Sequence, residues 1–155
     1  TGVQTCALPI SIYRQTMFAE FEALMHKKRE EKEVLTSTYL TDSYYELVKK
    51  YFGNNVVCDD LIRYEWSRIP HFYYDFYVYK YATSLSAACF IASNILNNKK
   101  GAVDNYIKFL SMGSSDYPVN ELKETGVDMT DSKVISSAID MFEDYLNKFE
   151  EVYNG

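Results

Sequence analysis

Apolar residues recur with helical spacing at the start of this chain. Met17, Phe21 and Leu24 lie three or four residues apart, so they share one face of a helix. Acidic residues precede basic residues along the same stretch, as the helix dipole favours. An amphipathic helix is therefore predicted over residues 13–32.

Six further stretches keep the helical spacing between turn or capping residues. The expected helices are, in chain order, residues 43–51 capped by Thr41 and Asp42, residues 61–69 capped by Asp59 or Asp60, residues 72–98, residues 102–112, residues 120–123, and a last helix that runs from a Thr130–Asp131 cap to Tyr153. Pro70 forces Ile69 out of the helical region, which places His71 at the start of the next helix. Because no alternating strand pattern is present, the predicted fold class is all-α.

The first ten residues differ in kind from the rest of the chain. Thr1–Ile10 resembles the translation of a sequencing-library adapter rather than a sequence that evolved to fold. The alternative is a genuine short apolar arm. We expect residues 1–10 to be a non-native segment, and residues 11–155 to be one domain or one part of a larger domain that is truncated at its N-terminal side.

Composition narrows the possible partners. The net charge of −6 argues against nucleic acid. Once Cys6 is excluded with the first segment, two thiols remain, which is typical of a reduced, cytoplasmic protein. The most apolar stretch, Leu85–Leu96, is far shorter than the roughly 20 residues that span a membrane. A cytoplasmic protein without nucleic-acid or membrane partners is expected.

Metal-ligand motifs are scarce. The only histidines are His26 and His71, and the chain has neither an H-E-x-x-H pair nor a Cys-x-x-Cys unit. Glu22 and His26 are four residues apart and could share a helix face, but such a pair supplies two ligands at most, and we interpret it as a solvated face. The Cys58–Asp60 run is similarly weak. The chain is therefore not expected to assemble a catalytic zinc site alone.

The densest aromatic segment is the strongest candidate for chemistry. Residues 71–81 hold five tyrosines, two phenylalanines and a histidine. On a helix that begins near His71, Tyr74 and Tyr79 share the face of the histidine, whereas Tyr77 points away. A phenol donates one strong hydrogen bond and stays neutral at pH 7, which suits an oxyanion or a peptide backbone. The alternative is an aromatic core helix whose hydroxyls reach solvent.

Four separate blocks carry a family resemblance. They are residues 13–22 (YRQTMFAEFE), 68–83 (RIPHFYYDFYVYKYAT), 109–118 (FLSMGSSDYP) and 126–129 (GVDM). In this order they closely resemble the C-terminal portion of oligoendopeptidase F, which belongs with the thimet-oligopeptidase-like zinc metallopeptidases. Two departures are Ser84, where a glycine is more usual, and Met112, within a loop that is usually richer in glycine.

The resemblance implies a cytoplasmic enzyme that hydrolyses short peptides in a deep channel between two helical halves. This chain would be the C-terminal part of a zincin-type catalytic domain. In that family the Zn²⁺ ligands lie upstream of the first matching block, so the metal and the missing N-terminal half would be supplied from outside this chain, and the chain alone would be inactive.

The same resemblance implies roles for residues of the aromatic segment. By motif position, His71 and Tyr79 would stabilise the tetrahedral intermediate and bind the substrate backbone, and Tyr74 and Tyr77 are further substrate-binding candidates. The alternative function is a stand-alone, metal-free helical module that binds peptides through the tyrosine cleft. Such a module would be a well-folded monomer that binds peptide without zinc.

Overall fold

A computed structural model of the chain describes residues 8–154, and these residues fold into helices joined by short turns. The α-helices are α1 (Gln15–Glu30), α2 (Ser37–Phe52), α3 (Tyr79–Leu96), α4 (Ala102–Met112), α5 (Pro118–Lys123) and α6 (Lys133–Asn154). A π-helical turn, Pro9–Arg14, runs into α1, and two 3-10 segments span Asp60–Arg68 and Pro70–Tyr73. Residues 8–154 contain no strand, which confirms the all-α prediction.

The chain divides into two compact units, of which the first comprises residues 9–82. Helices α1 and α2 supply most of its core, in which the side chains of Phe21 and Tyr44 are fully buried. The two rings meet edge to face, with centroids 5.1 Å apart, and Phe72 contacts Phe21 from the second 3-10 segment at 5.2 Å. The core of this unit is therefore aromatic, and the segment after Pro70 packs against it.

Helix α2 begins six residues earlier than predicted. Its N-cap is Thr36, whose side chain accepts a hydrogen bond from the amide of Tyr39 at 3.2 Å. Thr41, the expected cap, is buried inside the helix and accepts a hydrogen bond from the indole of Trp66 at 3.3 Å. The predicted cap was wrong because Thr41 is bonded to a side chain of the first 3-10 segment rather than to its own backbone.

The structure around Pro70 agrees in part with the structure predicted from the sequence. Asp59 caps the first 3-10 segment by accepting a hydrogen bond from the amide of Leu61, and Ile69 is extended, as expected before a proline. The long helix predicted over residues 72–98 is wrong at its start. Asp75 and Phe76 have positive φ angles of 42° and 53°, so the chain bends there and α3 begins only at Tyr79.

The second unit contains the described residues from Thr83 onward. Buried Ala87 and Ile91 of α3 pack with Val127 and Val134 to form its core. Helix α4 has the bounds predicted from the sequence, and Asp131 accepts a hydrogen bond from the amide of Lys133, as expected of the cap of α6. A cavity of about 530 Å³ opens among α3, α4 and α5.

Residues 1–7 of the predicted adapter segment lie outside the described residues. Leu8 is buried, and Pro9 and Ile10 belong to the π-helical turn. The division of the chain at residue 10 therefore stays a prediction, as does the assignment of residues 11–155 to the C-terminal part of a catalytic domain. Among the described helices, none is long and apolar enough to cross a membrane.

Candidate functional site

The aromatic bend, residues 70–81, combines a 3-10 turn, two residues with left-handed backbone and the first turn of α3. Its rings lie largely at the surface: Tyr73 is 82% exposed, and Tyr74 and Tyr79 are each more than half exposed. Val78 is the buried residue that fixes the bend to the core of the first unit. The bend thus exposes phenol groups to solvent, while its backbone is attached to the core through Val78.

Three of the four predicted site residues meet in one ring cluster. The His71 ring lies 6.0 Å from that of Tyr74 and 5.6 Å from that of Tyr77, and the two tyrosine rings are 6.1 Å apart. Tyr79 lies at the first position of α3 with its side chain partly exposed. The expectation that Tyr77 points away from His71 is wrong, because residues 75 and 76 leave the helical conformation on which it was based.

The cluster extends into α3 through a pair of phenols. The Tyr81 hydroxyl donates a hydrogen bond to that of Tyr77 at 3.5 Å, and the Lys80 ammonium lies 3.5 Å from the centroid of the Tyr77 ring. The hydrogen bond from Tyr81, together with the charge of Lys80, lowers the pKa of Tyr77, while the same hydrogen bond raises the pKa of Tyr81. The opposite pKa shifts of the two phenols thus follow from their shared hydrogen bond.

A buried carboxylate reaches the bend from α1. Glu22 is 1% exposed, and its Oε1 accepts a hydrogen bond from the amide of Phe76 at 2.7 Å. One helical turn later, the His26 ring lies 4.3 Å from the Phe76 ring. The interpretation of Glu22 and His26 as a solvated face is therefore wrong. The available signal was the position of Glu22 next to Phe21 and four residues after Phe18, on the buried side of the helix.

A second buried carboxylate holds the segment that leads into the bend. Glu65 accepts hydrogen bonds from Arg14 at 2.6 Å, from Arg68 at 2.7 Å and from the Tyr44 hydroxyl at 2.7 Å. Burial alone would raise the pKa of Glu65, but the Tyr44 and Arg14 hydrogen bonds outweigh it and lower that pKa. Sequence reasoning missed this group because its partners lie on three different segments. Glu65 thus joins the π-helical turn and α2 to the first 3-10 segment.

The described residues do not fit a catalytic zinc ion. Within residues 8–154, no group of three or more His, Cys, Asp or Glu side chains lies close enough to hold a metal. The pair singled out from the sequence, Glu22 and His26, contacts the amide and the ring of Phe76 instead. A zinc site needs at least three protein ligands, so the pair does not constitute one.

Comparisons with known proteins find relatives over most of the chain. The sequence profile of Peptidase family M3 matches residues 3–141. Oligopeptidase PepF of Bacillus subtilis is 56% identical over 92% of this chain, and Group B oligopeptidase PepB of Streptococcus agalactiae is 44% identical over 92%. A crystal structure of oligoendopeptidase-F from Enterococcus faecium superposes with a TM-score of 0.91 at 46% identity, over 98% of this chain and 30% of that one. The chain spans 21% of the first of these relatives and 24% of the second.

Proposed function

Because the chain belongs to peptidase family M3, we propose that it is the C-terminal part of a zinc-dependent endopeptidase that hydrolyses short peptides. The observation that carries the proposal is the cluster of His71, Tyr74 and Tyr77 on an exposed bend that also holds Tyr79. Neutral phenols and an imidazole can all donate hydrogen bonds to carbonyl oxygens, and a peptide offers one carbonyl per residue. The bend would thus bind an extended backbone rather than a particular side chain.

The four residues take distinct roles in this proposal. His71 and Tyr79 donate hydrogen bonds to the scissile carbonyl oxygen, which becomes negative in the tetrahedral intermediate. Tyr74 and Tyr77 bind neighbouring parts of the substrate backbone. These donors would act on the negative charge that develops on the carbonyl oxygen.

The metal belongs to another part of the proposed enzyme. Because the described residues do not fit zinc, its ligands would come from the missing N-terminal half of the catalytic domain, which is the partner this chain requires. This chain would be inactive alone. Its short-peptide substrates would contact both this chain and that half. The cytoplasmic location remains a prediction.

A chimera tests the proposal. Residues 11–155 of this chain would replace the matching segment of Oligopeptidase PepF from Bacillus subtilis, which is 56% identical over 142 residues. We expect the chimera to hydrolyse a quenched fluorescent peptide. Tyr79→Phe removes one oxyanion donor, so the activation barrier should rise by about 2.7 to 4 kcal/mol. The value of kcat should therefore fall roughly 100- to 1,000-fold.

Tyr73→Phe is the matched control, because Tyr73 is also an exposed tyrosine of the bend but has no assigned role. Its kcat should match that of the unsubstituted chimera. An unchanged rate in Tyr79→Phe would refute the oxyanion role. A chimera that folds without peptidase activity, together with an isolated chain that binds peptide in the presence of a chelator, would favour the metal-free binding module.

A further inference from the structure

We propose that Glu22 is a positioning residue for the ring cluster of the aromatic bend. Its carboxylate holds the amide of Phe76, keeps residues 75 and 76 in their left-handed conformation and thereby places Tyr77 beside His71. Glu22 acts through the backbone of the bend. The link to peptide hydrolysis rests on the proposed function, whereas the positioning role can be measured without it.

The backbone of the bend requires a stabilising contact. Asp75 and Phe76 carry Cβ atoms, and left-handed φ angles of 42° and 53° are unfavourable for both residues, more so for the bulky Phe76 than for Asp75. A hydrogen bond from an amide to a carboxylate is among the stronger ones available in a protein. At 2.7 Å, the bond from Phe76 to Glu22 offsets the unfavourable backbone at the second of these two residues.

The burial of Glu22 favours its hydrogen bond to the Phe76 amide. A carboxylate that is 1% exposed is costly unless it is hydrogen-bonded, and the Phe76 amide satisfies one of its oxygens. The His26 ring against the Phe76 ring fixes the same residue from the next turn of α1. Glu22 and His26 therefore hold the backbone and the side chain of one residue at the centre of the bend.

The sequence itself identifies the competing conformation. Its apolar pattern favours a continuous helix over residues 72–98, in which Tyr77 would point away from His71. In the structure that helix begins at Tyr79, and the two rings lie 5.6 Å apart. Glu22 selects the bend over the helix that local sequence prefers, which is why a residue 54 positions away decides the geometry of the site.

NMR of the 155-residue chain tests the role directly. Glu22→Met fills a similar volume without an acceptor, and Glu22→Gln keeps a carbonyl oxygen. In Glu22→Met, we expect exchange of the Phe76 amide to accelerate by about tenfold or more, and the nuclear Overhauser contacts between His71 and Tyr77 to be lost. Contacts between Phe21 and Tyr44 in the core should persist, and Glu22→Gln should restore the ring contacts.

Two further variants sharpen the result. Glu20→Met is the matched control, since Glu20 lies on the same helix but bonds to Lys50 and Tyr51, and the ring contacts of the bend should be unchanged. Asp75→Gly removes a Cβ from the left-handed backbone, so in the Glu22→Met background it should bring the contacts back in part. Ring contacts that survive in Glu22→Met would overturn the proposal. Loss of the ring contacts together with the core contacts would also overturn it, because it would show a merely structural role.

Kinetics of the chimera separate this inference from the proposed function. Glu22→Met should lower kcat about 10- to 100-fold with KM little changed, because misplaced donors weaken the transition state more than the bound substrate. An unchanged kcat in a variant that has lost the ring contacts would overturn the catalytic consequence. If the unsubstituted chimera hydrolyses no peptide, the proposed function fails, while the ring contacts of the chain still decide the positioning role.

Discussion

Helices α1 and α2 and the aromatic bend lie in the same compact unit but are stabilised in different ways. The helix pair buries whole rings, such as those of Phe21 and Tyr44. The bend packs one ring, that of Phe72, on this core, leaves its tyrosine rings largely at the surface, and depends on the carboxylate of Glu22 and on the buried Val78. Stability is therefore concentrated in the helix pair, while the groups able to bind a substrate lie on a segment held by few contacts.

The strongest test of this contrast is a truncation in the helix pair. Phe21→Ala should lower the free energy of unfolding by about 3 to 5 kcal/mol, because it leaves a cavity among aromatic rings. Urea denaturation followed by circular dichroism measures the change. Tyr73→Ala truncates an exposed ring of the bend and should stay within about 0.5 kcal/mol of the unsubstituted chain. Equal losses in the two variants would contradict the contrast.

The next effect concerns the buried charge of Glu65. Glu65→Ala should cost about 3 kcal/mol at neutral pH, since it leaves the Tyr44 hydroxyl and Arg14 without their partner. The pKa of Glu65 is lower in the folded chain than its ordinary value of 4.5. Its contribution is thus fully present above that value and is lost as pH falls through the lowered pKa. The difference between the two proteins should narrow in denaturation curves recorded from pH 7 downward; a constant difference would contradict this.

A glycine in the bend should act in the opposite direction. Asp75→Gly relieves a left-handed backbone and should stabilise the chain by about 0.5 to 1 kcal/mol, since the relief exceeds the entropy that glycine loses. Ala23→Gly, at an exposed position of α1, should instead destabilise by about 1 kcal/mol. Thermal unfolding of the two variants gives the signs. Destabilisation by both would show that the bend is not held against its own preference.

The smallest effect is a shift in the titration of Tyr77. Absorbance of the ionised phenol should show one tyrosine that titrates below the ordinary pKa of 10.0, and Tyr77→Phe should remove it. Tyr81→Phe should raise that midpoint more than Lys80→Met does, because the hydrogen bond is the larger cause. A midpoint that responds to neither variant would contradict the assignment of the pKa shift of Tyr77 to Tyr81 and Lys80.

Sequence patterns predicted what depends on nearby residues and failed where distant contacts decide. Helix α4 has its predicted bounds because its apolar spacing and the turn at Gly101 are local signals. The family resemblance is confirmed by the match to Peptidase family M3. The bend was missed because its conformation depends on Glu22, 54 residues earlier in the chain.

The candidate site shows the same division. The aromatic segment was identifiable from its density of tyrosines, and His71, Tyr74 and Tyr77 do come together. The predicted orientation of Tyr77 was wrong because it assumed a regular helix. Glu65 had no sequence signal of its own, since its partners Arg14 and Tyr44 lie on segments 51 and 21 residues away.

The roles of His71 and Tyr79 are tested most directly by a crystal structure of the chimera with a peptide whose scissile group is a tetrahedral phosphinate. We predict that the imidazole of His71 and the hydroxyl of Tyr79 lie within about 2.7 to 3.1 Å of the ligand's phosphinate or backbone oxygens. A bound phosphinate peptide that neither side chain contacts would contradict the assignment of the aromatic bend as the substrate-binding wall of the peptidase.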